Sequence, residues 1–168
     1  MSTTPTDSLA WLPPCLDDED MPTLIEAAYS IFQKELAGNS IIIDGRPLLF
    51  SNKMSFGKKE DFFHIIVGGK QSNRAKVPSK VRCRYITWIK PILDKYPSDE
   101  VKTWEVERGN SIMKCLAPKD FSFLVVMRVG RTKYFFNTAY PAENPHTLAK
   151  WKRDYEDYVE KQRSSNFS

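Results

Sequence analysis

Apolar residues recur at a helical spacing in three parts of the chain. Helices are therefore predicted over residues 23–38, 60–67 and 84–95. Thr23 and Glu26 stand three residues apart near the start of the first helix, the spacing of a capping box that satisfies free N–H groups. Pro91 must lie near the start of the third helix or bend it, because proline has no N–H group to donate.

Shorter apolar runs predict strands. Asp44-Gly45 divides two such runs and predicts a β-hairpin over residues 40–50, because glycine adopts a positive φ without strain. Further strands are predicted over residues 101–107, 112–116, 121–129 and 133–140, and a last helix over residues 144–163. The polar, basic stretches 51–58 and 70–83 are predicted to be surface loops.

The order of these elements indicates the fold class. Helices come first, a run of strands follows and a helix comes last, which is typical of an α+β fold. We expect N-terminal helices packed on a meandering antiparallel sheet of about four strands, with a C-terminal helix. The acidic, proline-containing residues 1–20 predict a disordered leader. A single domain over residues 21–163 and a frayed tail over residues 164–168 complete the expected organisation.

Charge is distributed unevenly along the 168 residues. The net charge is +4, yet residues 1–38 hold seven acidic residues and one lysine, a balance of −6. Residues 53–90 hold ten basic residues against Glu60 and Asp61. Such asymmetry is typical of a polyanion-binding body with an acidic leader, although a merely solvated surface gives a similar composition.

Several kinds of site and location are disfavoured. The chain lacks glycine-rich phosphate-binding motifs and zinc-hydrolase motifs, and it has only two histidines and three cysteines without close spacing. We therefore expect no metal and no cofactor. No apolar run suits a membrane span and the start lacks a signal-peptide pattern, so a reducing, cytoplasmic location is expected.

Three groups of residues can carry chemistry. His64 can transfer protons near neutral pH, although its apolar neighbours also suit a histidine packed in the core. Basic side chains can bind phosphates and stabilise developing negative charge, and Arg82 and Arg84 are the best placed because they lead into a helix. Thr138 and Tyr140 share one face of the last strand with Phe136, and Asn137 lies on the other face. Threonine and tyrosine are, however, also common in ordinary strands.

Together these segments resemble a known ribonuclease superfamily. Phe63-His64, the basic loop, Trp88-Ile89-Lys90-Pro91 and Thr138-Ala139-Tyr140 follow the order of motifs in the barnase, EndoU, colicin-D and RelE-like superfamily of phage and toxin ribonucleases. The resemblance covers residues 40–160. It implies metal-independent cleavage of RNA, often tRNA, by attack of the 2′-hydroxyl group, with a 2′,3′-cyclic phosphate product.

The resemblance also implies roles for residues and partners. His64 would be the general acid or base, Arg84 would stabilise the phosphorane, and Thr138 and Tyr140 would position the phosphate. Further basic residues would hold RNA, namely Arg82, Lys90, Lys70, Arg74, Lys80 and Lys133. The expected partners are RNA and an acidic antidote or immunity protein, since a basic groove attracts acidic partners. The acidic leader has no counterpart in the superfamily. Its charge balance of −6, and not the resemblance, leads to the hypothesis that it occupies the basic groove as a built-in inhibitor.

Two other functions fit the same sequence. A non-catalytic nucleic-acid-binding module would share the basic surface and the salt-sensitive binding, but it would not cleave RNA. A protein-interaction domain of a phage particle or secretion system would have no affinity for nucleic acid at low salt. The basic stretch over residues 53–90 favours the first of these alternatives over the second.

Overall fold

The structure is a computed structural model that describes residues 9–67 and 77–166. Its helices are α1 (Met21–Ile31), α2 (Glu60–Ile66), α3 (Lys80–Arg84), α4 (Ile89–Lys95) and α5 (Pro145–Asn166). Its strands are β1 (Ile41–Ile43), β2 (Arg46–Leu49), β3 (Met54–Ser55), β4 (Lys58–Lys59), β5 (Val101–Arg108), β6 (Ser111–Pro118), β7 (Phe123–Val129) and β8 (Tyr134–Pro141). The predicted α+β class is confirmed.

The first helix begins earlier than the capping box predicted. Asp20 is the N-cap, and its carboxylate accepts hydrogen bonds from the Thr23 backbone N–H at 3.0 Å and from the Thr23 hydroxyl at 2.7 Å. Thr23 therefore lies in the first turn, and the predicted Thr23–Glu26 box is wrong. After Ile31 the helix continues as a π-helical turn and ends at Gly38, as predicted.

The main sheet has six strands in the order β1-β2-β8-β7-β6-β5. Strands β5 to β8 form the predicted antiparallel meander. The predicted hairpin of β1 and β2 joins the same sheet, because β2 pairs in parallel with the start of β8 through Leu48 and Leu49. The expectation of about four antiparallel strands is therefore only partly met, since the sheet is larger and mixed. The helix after β8 is present as predicted.

The region between β2 and β5 is more ordered than the predicted loops. Residues 54–58 of the first predicted loop, together with Lys59, form a small separate hairpin, β3–β4. Helix α3 begins at Lys80, with the Ser79 hydroxyl accepting from the Arg82 N–H, so the second predicted loop does not extend to residue 83. A 3₁₀ turn over Tyr85–Trp88 separates α3 from α4 and divides the predicted helix 84–95.

Helices cover both faces of the sheet. One apolar core lies between the sheet and helices α1 to α4, and it includes Phe32, Phe62 and Phe123. A second core lies under α5, where Trp104 and Trp151 are almost fully buried. Alternate residues of β7 enter the two cores, which confirms the prediction of a central buried strand. Within the described ranges, no helix is long and apolar enough to cross a membrane.

Residues 9–20, part of the predicted disordered leader, lie along the turn before α4. The carbonyl of Pro13 accepts from the Trp88 indole N–H at 2.9 Å, and the carbonyl of Pro14 accepts from the Thr87 hydroxyl at 3.0 Å. The Leu16 N–H donates to the carbonyl of Arg84 at 3.0 Å. At the other terminus, α5 includes residues 164–166 of the predicted tail.

A polar cluster fastens the β1–β2 turn to the sheet. The Asp44 carboxylate lies 3.1 Å from the Lys114 ammonium group, and it accepts from the hydroxyls of Tyr96 at 2.8 Å and Tyr134 at 3.3 Å. Burial acts to raise the pKa of Asp44. Hydrogen bonds from Tyr96, Lys114 and Tyr134 outweigh burial and lower this pKa below its ordinary value.

We expect this cluster to lose its stabilising effect in acid. The contribution of Asp44 is complete above its unfolded pKa of about 3.9 and disappears as the pH falls through the lower folded value. Asp44→Asn removes the negative charge, and asparagine tolerates the positive φ of this position. The free energy of unfolding should fall by only about 1 kcal/mol at neutral pH, because the carboxylate is more than a third exposed and solvent weakens its ionic interactions. Urea unfolding between about pH 7 and about pH 2 measures the free energy of unfolding of the unmutated protein and of Asp44→Asn. A difference between the two proteins that does not change with pH would contradict the prediction.

Candidate functional site

Helix α2 presents an imidazole and a carboxylate one helical turn apart. Phe62, Ile65 and Ile66 anchor the helix in the first core. Asp61 is also buried, and one of its oxygens accepts from the Ser51 backbone N–H at 2.6 Å. The other oxygen lies 3.4 Å from Nδ1 of His64. The pairing is possible because residues at i and i+3 share a helix face.

The His64 side chain is accessible to solvent. Its exposed fraction is 49%, so the alternative of a histidine packed in the core is contradicted. Glu60 lies 3.9 Å from Nε2, on the side opposite the nitrogen that faces Asp61. A half-exposed imidazole beside a buried carboxylate can exchange protons with a bound molecule.

A cleft of about 430 Å³ opens beside Asp61. Its lining comes from the end of β2, the following loop, β7 and β8, namely Leu49, Phe50, Ser51, Asn52, Asp61, Arg128, Phe135 and Phe136. The Arg128 guanidinium lies 4.2 Å from the centre of the Phe135 ring. Arginine in this position can bind an anionic group, and the Ser51 and Asn52 side chains can donate hydrogen bonds to it.

A bulge in β8 changes the predicted faces of the last strand. Val126 pairs with Thr138 but Met127 pairs with Phe136, so Asn137 is the extra residue. Phe136 points into the first core, whereas Tyr140 packs against the second. The prediction that these two residues share a face is therefore wrong. The alternation fails because a bulge inserts one residue into the two-residue repeat.

Thr138 and Arg82 bond to the carboxyl end of α2. The Thr138 hydroxyl donates to the backbone carbonyl of His64 at 2.7 Å, and the Arg82 guanidinium donates to the carbonyl of Ile65 at 3.2 Å. The Ser79 N–H donates to the carbonyl of Ile66 at 2.8 Å. These bonds satisfy the carbonyl groups that a helix end leaves free, and they fix the backbone that carries His64.

Tyr140 belongs to the same group of side chains through Arg82. Arg82 is a largely buried residue, and its guanidinium lies 4.3 Å from the centre of the Tyr140 ring. Trp151 packs against Tyr140 with ring centres 5.5 Å apart, and burial raises the pKa of Tyr140. Thr138 and Arg82 thus bond to the backbone at the end of α2, including the carbonyl of His64, and Tyr140 packs against Arg82.

Arg84 takes a different place from the predicted one. Its guanidinium donates to the backbone carbonyl of Asp18 at 3.3 Å, and its buried Nε has no hydrogen-bond partner within the described residues. Arg84 is absent from the lining of the cleft beside Asp61. The arginine at that cleft is Arg128, and Arg84 lies against the acidic leader.

The predicted RNA-binding residues are scattered. Lys90 pairs with Asp94 at 2.9 Å on α4, Lys80 is exposed on α3, and Lys133 is partly exposed after the β7–β8 turn. Lys70 and Arg74 lie outside the described residues. Of the four that the structure describes, Arg82 is the one that bonds to the end of α2.

Two members of the site were missed in the sequence. Asp61 stands three residues before His64, a spacing that a helix over residues 60–67 brings to one face. Arg128 is the single charged residue within the apolar β7 segment. Both signals were visible in the sequence, but neither identifies the cleft, because the cleft depends on how β2 pairs with β8.

Comparisons with known proteins add no family or relative. No family model, no curated protein and no solved structure matches the chain. In the part of the chain that the structure describes, no group of three or more histidine, cysteine and acidic side chains could hold a metal ion. The site is therefore interpreted from its own geometry.

Proposed function

We propose that the protein is a metal-independent endoribonuclease, an effector of the toxin or phage-defence type, with His64 as its proton-transfer group. The observation that carries the proposal is the half-exposed His64 imidazole 3.4 Å from the buried carboxylate of Asp61, the residue of α2 that lines a cleft also containing Arg128. The resemblance to the barnase, EndoU, colicin-D and RelE-like superfamily supports the same activity.

The reaction requires a proton to move at two oxygens. His64 takes the proton of the ribose 2′-hydroxyl, the 2′-oxygen bonds to phosphorus, and the bond from phosphorus to the 5′-oxygen breaks. The leaving 5′-oxygen takes a proton from water, and His64 releases to solvent the proton that it took, so that the ring is again neutral. The other product ends in a 2′,3′-cyclic phosphate. Arg128 stabilises the negative charge on the phosphorane oxygens, in the role first expected of Arg84.

Other residues act by positioning. Thr138 holds the backbone carbonyl of His64, and Arg82 holds the next carbonyl and packs on Tyr140. The proposed substrate is RNA, with tRNA as one candidate. An acidic antidote would bind the basic surface, and the leader would restrain Arg84 through its contact at Asp18.

A non-catalytic nucleic-acid-binding module is the second candidate. The engagement of the Thr138 hydroxyl and the Arg82 guanidinium in bonds to the protein backbone favours it, because these groups are then not free to bind the reacting phosphate.

Incubation with total tRNA in EDTA separates the two candidates. We expect cleavage that persists in EDTA, with 2′,3′-cyclic phosphate ends on the products, because the proposed chemistry needs no metal. The matched control is single-stranded DNA of the same sequence, which lacks the 2′-hydroxyl and should stay intact. Binding without cleavage would support the module instead, and a lack of affinity for RNA even at low salt would rule out both candidates.

A further inference from the structure

The β3–β4 hairpin carries an exposed aromatic residue at its tip. Ser55 pairs with Lys58, which leaves Phe56-Gly57 as a two-residue turn. Both turn residues have positive φ, +51° for Phe56 and +81° for Gly57, as a type I′ turn requires. The exposed fraction of Phe56 is 94%, so its ring is almost entirely in solvent.

Phenylalanine is an unfavourable residue at this position. The first residue of such a turn is normally Asn, Asp or Gly, which tolerate positive φ. The β1–β2 turn of the same chain follows this rule with Asp44, whose φ is also +51°. Phe56 adopts the same conformation and buries almost none of its ring in the fold. Backbone strain without a folding benefit indicates a functional position.

The surroundings of Phe56 are basic and close to the proposed active site. Residues 52–59 contain three lysines and no acidic residue. Lys53 is exposed, Lys59 is partly exposed, and Lys58 pairs with Glu26 at 2.7 Å. The ring of Phe56 lies 5.9 Å from that of Phe63, the residue before His64, and β4 continues directly into α2.

The hairpin is fixed to the body of the protein. The Tyr29 hydroxyl accepts from the Lys59 backbone N–H at 3.0 Å, and the Glu60 N–H donates to the carbonyl of Lys53 at 2.9 Å. The position of Phe56 is therefore set by the same elements that hold Asp61 and His64.

We propose that Phe56 is a stacking platform for an unpaired base of single-stranded RNA, with Lys53 and Lys59 contacting the adjacent phosphates. An aromatic ring beside cationic groups suits this ligand, because bases stack on aromatic side chains while lysines bind the backbone. The inference rests on the proposed function, since it places an RNA strand next to His64.

The test measures binding without cleavage. His64→Gln protein, with and without Phe56→Asn, is titrated into a fluorescein-labelled single-stranded oligouridylate, and the fluorescence anisotropy of the label reports binding. Asparagine removes the ring and tolerates positive φ, so the melting temperature should stay the same or rise. We expect the dissociation constant to increase by about tenfold or more. Phe56→Trp should retain the affinity, and Lys53→Gln should lower the dependence of binding on salt.

Control variants and separate readouts keep the outcomes distinct. Ile42 is an exposed apolar residue on β1, so Ile42→Thr should leave the affinity unchanged. Equal affinities with and without Phe56→Asn overturn the stacking proposal, even if the unmutated protein cleaves RNA. A Phe56-dependent affinity in a protein that never cleaves RNA supports the proposal while the nuclease assignment fails. If Phe56→Asn instead abolishes self-association in sedimentation and leaves RNA affinity intact, the platform binds protein and the proposal is wrong.

Discussion

Replacing His64 by glutamine should lower the rate of RNA cleavage by a factor of about 10² to 10⁴, the usual contribution of a positioned general acid or base. Glutamine keeps much of the volume and the polarity of the side chain, but it cannot take up or release a proton near neutral pH. Initial rates on a defined RNA in EDTA measure the loss.

The folded state should tolerate this change. The His64 ring is half exposed, and its backbone carbonyl, to which Thr138 donates, is unaffected by the substitution. The melting temperature should therefore stay within the range of ordinary surface substitutions. The matched control is His146→Gln, which changes an exposed histidine at the start of α5. Full activity in His64→Gln would remove His64 from the mechanism.

Most helices and strands could be predicted because their signals are local. The turn at Asp44-Gly45, the meander from β5 to β8 and the helix after Pro145 each follow from a few adjacent residues. The predicted number of strands was too small because the pairing of β2 with β8 joins segments far apart in the chain. The hydrophobic pattern within β2 or within β8 does not show which other strand each one pairs with.

The errors at the site have similar physical causes. Asn137 breaks the alternation of β8, and a bulge of this kind is fixed by the partner strand. Arg84 was chosen because it leads into a helix, yet that position places it against residues 9–20. Arg82, two residues earlier, reaches the end of α2. A two-residue difference in a short helix turns a side chain to another direction, and the sequence alone does not show which direction faces the cleft.

The end of α2 connects the fold with the proposed chemistry. Three successive carbonyls, from His64 to Ile66, accept hydrogen bonds from Thr138, Arg82 and Ser79. Carbonyl groups at a helix end carry partial negative charge, so a guanidinium group there is favourable. The groups that were expected to contact phosphate thus hold the helix that presents the imidazole. Under the proposed function, the contact with phosphate would therefore fall to Arg128 and to the polar groups of the loop after β2.

Replacing Asp61 by asparagine should lower RNA cleavage by between about 10² and about 10⁴, because we propose that the carboxylate, 3.4 Å from Nδ1, orients the imidazole for proton transfer. The change should cost little stability. The amide oxygen of the introduced asparagine can still accept from the Ser51 N–H, so the free energy of unfolding should change by about 1 kcal/mol or less. Rates on the same RNA in EDTA and urea unfolding measure the two effects.

Asp61→Ala supplies the contrast that separates positioning from packing. Alanine leaves the buried Ser51 N–H without its acceptor and should cost about 1–3 kcal/mol, whereas its effect on cleavage should match that of Asp61→Asn. Imidazole ¹⁵N chemical shifts report which ring nitrogen of His64 carries the proton, and both variants should change them, because the group facing Nδ1 is altered. If cleavage falls only in the unstable alanine variant while the asparagine variant keeps normal rates and unchanged ¹⁵N shifts, Asp61 supports the loop after β2 and has no part in proton transfer.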